Sequence, residues 1–80
     1  MVTVKLFGTL RLKTGCKSLK VDASTVSTVR QACDALAEAT GFPSGEFRKC
    51  IIVINDAPTK LSAPLEDGDE LTFFSPSGGG

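Results

Sequence analysis

The run Glu66-Asp67-Gly68-Asp69-Glu70-Leu71-Thr72-Phe73-Phe74-Ser75 decides the fold. Its first four residues read as an acidic tight turn, in which Gly68 can take the positive φ that residues with a Cβ avoid. Glu70 to Ser75 reads as the last strand. Leu71 and Phe73 fall on one face and Thr72 and Phe74 on the other, the period of two of a strand with one buried side. At the other end of the chain Val2-Thr3-Val4-Lys5-Leu6-Phe7 repeats the pattern, with Val2, Val4 and Leu6 on one face and Thr3, Lys5 and Phe7 on the other. These first and last strands are expected to lie side by side and parallel.

Between them the period changes and then changes back. After Gly8, the loop Thr9 to Lys17 leaves room for a helical turn around Leu10-Arg11-Leu12, and Leu19 and Val21 alternate with polar neighbours as the second arm of a hairpin. From Val26 the apolar residues Val26, Val29, Cys33, Leu36 and Ala37 recur at steps of three and four, the stripe of an amphipathic helix. Thr25 is the expected N-cap, Gly41 the left-handed stop before Pro43, and Asp34 the expected partner of Arg30. Pro43 to Lys49 reads as a loop, Cys50-Ile-Ile-Val-Ile54 as a central strand, Asn55-Asp56 as the start of a turn, and Thr59 to Leu61 as a short returning strand. The order strand, strand, helix, strand, short strand, strand leaves no length for crossover helices on both faces. The expected fold is α+β, a β-grasp with a mixed sheet of four to five strands and one main helix packed on one face, spanning residues 1–75. Residues 76–80 are a Gly-rich tail with nothing to bury, expected to be flexible.

Composition narrows the function. Eighty residues, 41% of them apolar, describe one small domain, and no apolar stretch approaches the roughly 20 residues of a membrane span. Nine basic side chains balance nine acidic ones, so the surplus of positive charge that neutralises phosphates is missing, and nucleic acid is not an expected partner. There is no His, and Cys16, Cys33 and Cys50 are odd in number and widely spaced; neither a disulfide framework nor a metal or cofactor site is expected. Cys33 reads as a buried core residue, whereas Cys16 and Cys50 fall at loop or strand ends and are expected to be accessible. The alternating start lacks the unbroken apolar stretch of a secretory signal, and the expected location is the cytoplasm.

The stretch Val4-Lys-Leu-Phe-Gly-Thr-Leu-Arg11, the helix start Thr25-Val26, the turn Ile54-Asn55-Asp56, the run Pro64-Leu-Glu-Asp-Gly-Asp-Glu-Leu71 and the ending Phe73-Phe74-Ser-Pro76 before terminal glycines together resemble the ubiquitin-like sulfur carriers. That family contains the small subunit of molybdopterin synthase, which the opening resembles more, and the thiamine sulfur carrier. The resemblance implies that the Gly80 carboxylate is the reactive group, with Gly79 its partner in the functional pair and Gly78 in the place of a small residue. It further implies that an E1-like adenylating enzyme uses ATP to activate Gly80, so that the chain itself binds no cofactor. The carboxylate then becomes a thiocarboxylate, and the sulfur passes to the larger molybdopterin synthase subunit or an equivalent acceptor enzyme. Independently of family, a residue without Cβ threads a narrow partner channel most easily.

Other residues carry two readings each. Phe74 alone is an ordinary exposed side chain, but with Phe7 and one of Ile51 or Val53 on the same outer face it forms a patch large enough for partner docking. Asp67 and Asp69 flank Gly68 as a solvated turn, or as a meeting point for basic residues of a partner. A ubiquitin-like protein modifier or interaction module on the same fold is the alternative from another functional class.

Overall fold

A computed structural model describes residues 1–75; the Gly78, Gly79 and Gly80 assignments, and the tail as a whole, lie outside the described residues. The elements in chain order are β1 (Val2–Phe7), α1 (Thr9–Thr14), β2 (Ser18–Val21), α2 (Val29–Thr40), α3 (Ser44–Arg48), β3 (Ile51–Ile54), β4 (Ala57–Pro58) and β5 (Glu70–Phe74). They form one five-stranded sheet in the order β2-β1-β5-β3-β4. β1 and β5 pair in parallel from Thr3↔Glu70 to Phe7↔Phe74, and the remaining pairs are antiparallel. This is the expected α+β β-grasp. The inward faces Val2, Val4, Leu6, Ile52, Leu71 and Phe73 pack against Val29, Ala32, Cys33 and Leu36 of α2. Among the described residues no helix is long and apolar enough to cross a membrane.

The helix begins later than the sequence suggests. Thr25 is not the N-cap: its hydroxyl turns back to donate to Asp22 O (3.1 Å), inside a turn in which the Asp22 carboxylate accepts from the Ser24 amide (2.9 Å) and hydroxyl (2.8 Å). Those two hydrogen bonds hold the Asp22 carboxyl below its ordinary range. Thr28 caps instead, accepting from Gln31 N (3.3 Å), while Gln31 Oε1 accepts from the Ser27 amide (2.7 Å) in a variant of the capping box. The first helical amides find carbonyls of a distant loop, Val29 N donating to Ala63 O and Arg30 N to Leu61 O. Gly41 ends α2 as expected, with φ 74° and its amide on Ala37 O.

Four further expectations are corrected. Pro43 to Lys49 is not only a loop, because Ser44–Arg48 makes one helical turn that drives Phe47 into the core. Arg48 of that turn, rather than Arg30, takes the Asp34 carboxylate at 2.9 Å. The returning strand is Ala57–Pro58 rather than Thr59 to Leu61, since Asn55 (φ 48°) and Asp56 (φ 69°) make a two-residue hairpin turn that reverses the chain at once. Pro58 is tolerated there because an edge strand does not use every amide. Finally, Cys50 is buried, not accessible, and its thiol donates to Glu46 O at 3.2 Å.

Candidate functional site

The helices cover one face of the sheet and leave the other open, which is why Ile51 is 57% exposed although it begins a continuous apolar run. On that open face the register puts Phe7 of β1 beside Phe74 of β5, and Phe74 opposite Ile51 of β3. The two rings stack with centroids 5.2 Å apart and 16° between their planes. Phe7 and Phe74 remain 38% and 40% exposed, so the stack shields each ring on one side only. The sequence left Ile51 and Val53 as alternatives for the third member, and Ile51 completes the row.

Toward the start of β1 the same face becomes polar, with Lys5 Nζ 3.3 Å from the Glu70 carboxylate. Both ends of that pair are exposed, so it adds little stability. Its place marks the boundary of the apolar row, which therefore occupies the end of the sheet where β5 leads into residues 76–80.

Asp67 lies elsewhere. The turn Glu66–Asp69 sits beside the N-terminus, where the Asp67 carboxylate contacts the Met1 ammonium and Gly68 N (φ 92°) donates to Met1 O at 3.0 Å. Strand rise alone puts about 17 Å between the start of β1 and Phe7. The structure thus brings Phe7 and Phe74 together and keeps Asp67 apart from them. Asp69 has a structural task, its carboxylate accepting from Glu66 N (2.8 Å) and Asn55 Nδ2 (3.0 Å) to tie this turn to the β3–β4 hairpin.

Cys33 and Cys50 offer no activated thiolate. Burial pushes the Cys33 thiol up to about 11, and burial with the nearby Glu46 charge does the same to Cys50, to about 11, so both are neutral thiols at pH 7. Among the described residues no pocket opens, and no cluster of three or more His, Cys, Asp or Glu side chains gathers to hold a metal ion. What the described residues present is a surface. Sequence reasoning passed over Thr9 and Ser75, whose hydroxyls meet at 2.9 Å at the end of β5; a glycine directly after β1 was the only available signal.

The sequence model of the ThiS family matches residues 4–80. The chain is 32% identical over 82 residues to the molybdopterin synthase sulfur carrier subunit of Escherichia coli (strain K12), with 100% of both chains covered. Among solved structures it is similar to SAMP1, the small archaeal modifier protein 1 of Haloferax volcanii (TM-score 0.81, 30% identity, 99% of this chain and 98% of that one). It is also similar to a chain of the Amycolatopsis orientalis BexX/CysO complex (TM-score 0.80, 26% identity, 100% of both). The β-grasp sheet, the open apolar face at the end of β5 and a match across nearly the whole length lead to one conclusion: this chain belongs to the ThiS family.

Proposed function

We propose that the chain is a sulfur carrier that acts through the carboxylate of Gly80. The observation that carries the reading is the position of the Phe7–Phe74–Ile51 row, across β1, β5 and β3 at the end of β5 that only Ser75, Pro76 and Ser77 separate in sequence from Gly78-Gly79-Gly80. A partner seated on the row has the tail within its reach. In this reading an E1-like enzyme docks on Phe7 and Phe74 and presents ATP to Gly80; a carboxylate oxygen attacks the α-phosphorus and pyrophosphate leaves. A sulfide-level donor then attacks the acyl carbon, AMP departs with the C–O bond, and a thiocarboxylate remains. Gly79 and Gly78 supply the slender approach, and Asp67, at the opposite end of the sheet, is a second meeting point for basic groups of a large partner.

The full-length identity with the Escherichia coli carrier favours the larger molybdopterin synthase subunit as sulfur acceptor. The cytoplasm suits the reaction, since it holds ATP and keeps thiols reduced, and all three cysteines of the chain are free. Gly80→Ala is expected to leave thermal unfolding unchanged and to lower sulfur transfer on the order of 10- to 100-fold in a coupled assay, because the reacting carbon is displaced by a side chain the channel was not shaped for. Equal transfer by the variant counts against the proposal.

The likeness to small archaeal modifier protein 1 favours one second reading, attachment of Gly80 to lysines of other proteins. It requires conjugates of high mass in cells that vanish when the terminal glycines are deleted.

A further inference from the structure

The parallel ladder of β1 and β5 ends at Phe7↔Phe74, and the side chain of Ser75 extends it by one step. Ser75 Oγ lies 3.3 Å from Phe7 O, 2.9 Å from Thr9 Oγ1 and 3.2 Å from Leu10 N. A serine hydroxyl has one proton and two lone pairs. Donating to the Phe7 carbonyl while accepting from the Thr9 hydroxyl and the Leu10 amide uses all three. The Leu10 amide belongs to the first turn of α1, which has no side-chain cap of its own, so Ser75 satisfies it from the far end of the chain.

Gly8 makes this approach feasible. It adopts φ 70° and ψ −143°, a conformation that L side chains rarely enter, and a Cβ built there would stand 2.8 Å from Ser75 Oγ and 3.2 Å from Ser75 Cβ. The volume a side chain at position 8 would fill is the volume Ser75 occupies. Three consecutive residues, Gly8, Thr9 and Leu10, therefore close on the last residue before the tail.

We infer that Ser75 is a positioning residue: the clasp formed on it by Phe7, Thr9 and Leu10 fixes where the segment 76–80 starts relative to the Phe7–Phe74–Ile51 row. The inference rests on the sulfur-carrier reading and adds to it the part of the scaffold that aims Gly80. Five residues span at most about 18 Å when extended, so the reach of the carboxylate is measured from Ser75. If Ser75 comes free, it adds about 3.5 Å to that reach and spreads the carboxylate over a larger volume. Small displacements at a reacting centre cost rate heavily. Docking is untouched, because the row is built by other side chains.

The test compares wild type, Ser75→Ala, Thr9→Val and Thr9→Ser in the full chain, with an E1-like enzyme, ATP and sulfide. Ser75→Ala is expected to speed hydrogen exchange at the Leu10 amide and to lower kcat for conversion on the order of tenfold, while KM for the carrier stays within about twofold. Thr9→Val shifts both readouts in the same direction by less, and Thr9→Ser, which keeps the hydroxyl, matches wild type. Unchanged Leu10 exchange in Ser75→Ala overturns the clasp. Faster exchange with undiminished kcat reduces the clasp to a strut for α1 and overturns the positioning role. If wild type itself is not converted under conditions that convert a competent control carrier, the sulfur-carrier reading fails and the positioning role falls with it; a converted wild type with an equally active Ser75→Ala sinks the positioning role alone.

Discussion

Phe74→Asp is expected to weaken binding of the activating enzyme on the order of 30- to 1,000-fold while the domain stays folded. The size follows from what the side chain is. Phe74 stacks on Phe7 at 5.2 Å and stands opposite Ile51, so it is the middle of the three-residue row and the member a docked partner covers most completely. Aromatic residues at the centre of an interface are the ones whose loss costs most, and an ionised carboxylate in their place must be desolvated without a partner. The fold tolerates the change because the side chain is 40% exposed and points away from α2; its stack with Phe7 is worth about 0.5–1.5 kcal/mol. Titration calorimetry with the enzyme measures the effect, alongside a thermal melt of the variant alone. Binding within about threefold of wild type, with an intact melt, removes the row from the docking surface.

The second large effect is on stability. Phe47→Ala is expected to cost about 3–5 kcal/mol, the range for emptying a fully buried aromatic site. Phe47 has no exposed surface, and its ring meets Phe42 edge-on at 5.7 Å and Phe73 edge-on at 5.8 Å. Phe73 lies on the inner face of β5, so Phe47 supports from below the strand whose outer face carries Phe74. A domain of 80 residues has a total stability of about 4–12 kcal/mol, so this single truncation removes a large part of it. The melting temperature should fall by roughly 12–40 °C. A drop of less than about 5 °C contradicts the packing of Phe47 against Phe42 and Phe73.

What was readable in the chain, and what was not, divides along the range of the interaction. The alternation in Val2–Phe7 and Glu70–Phe74 is a local pattern imposed by one buried face, and it placed Phe7 and Phe74 on the open side. The choice between Ile51 and Val53 needed a register between strands, which the period alone does not carry. The helix start was ambiguous because Thr25-Val26 and Thr28-Val29 repeat the same pair, and the choice is made by carbonyls of Leu61 and Ala63, more than thirty residues away in sequence. Phe47 sits in a helix of one turn, too short to show a period, and only its burial marks it as core. Cys50 stands at a strand end in the sequence, yet it is buried with its thiol on Glu46 O of α3, a helix too short to show a period. Ser75, Thr9 and Gly8 are ordinary turn residues until the two ends of the chain meet. The terminal glycines are the reverse case: they were readable only in the sequence, on which their assignment rests.

The central claim is that Gly80 carries sulfur, and an intact-mass spectrum after incubation with an E1-like enzyme, ATP and a sulfur donor tests it most directly. Exchanging one oxygen for sulfur changes the mass almost as much as oxidising Met1 or a cysteine, so fragmentation must locate the change. The account predicts conversion confined to the Gly79-Gly80 end and absent without ATP. A tail that stays a carboxylate, while a competent carrier is converted by the same enzyme, would contradict it.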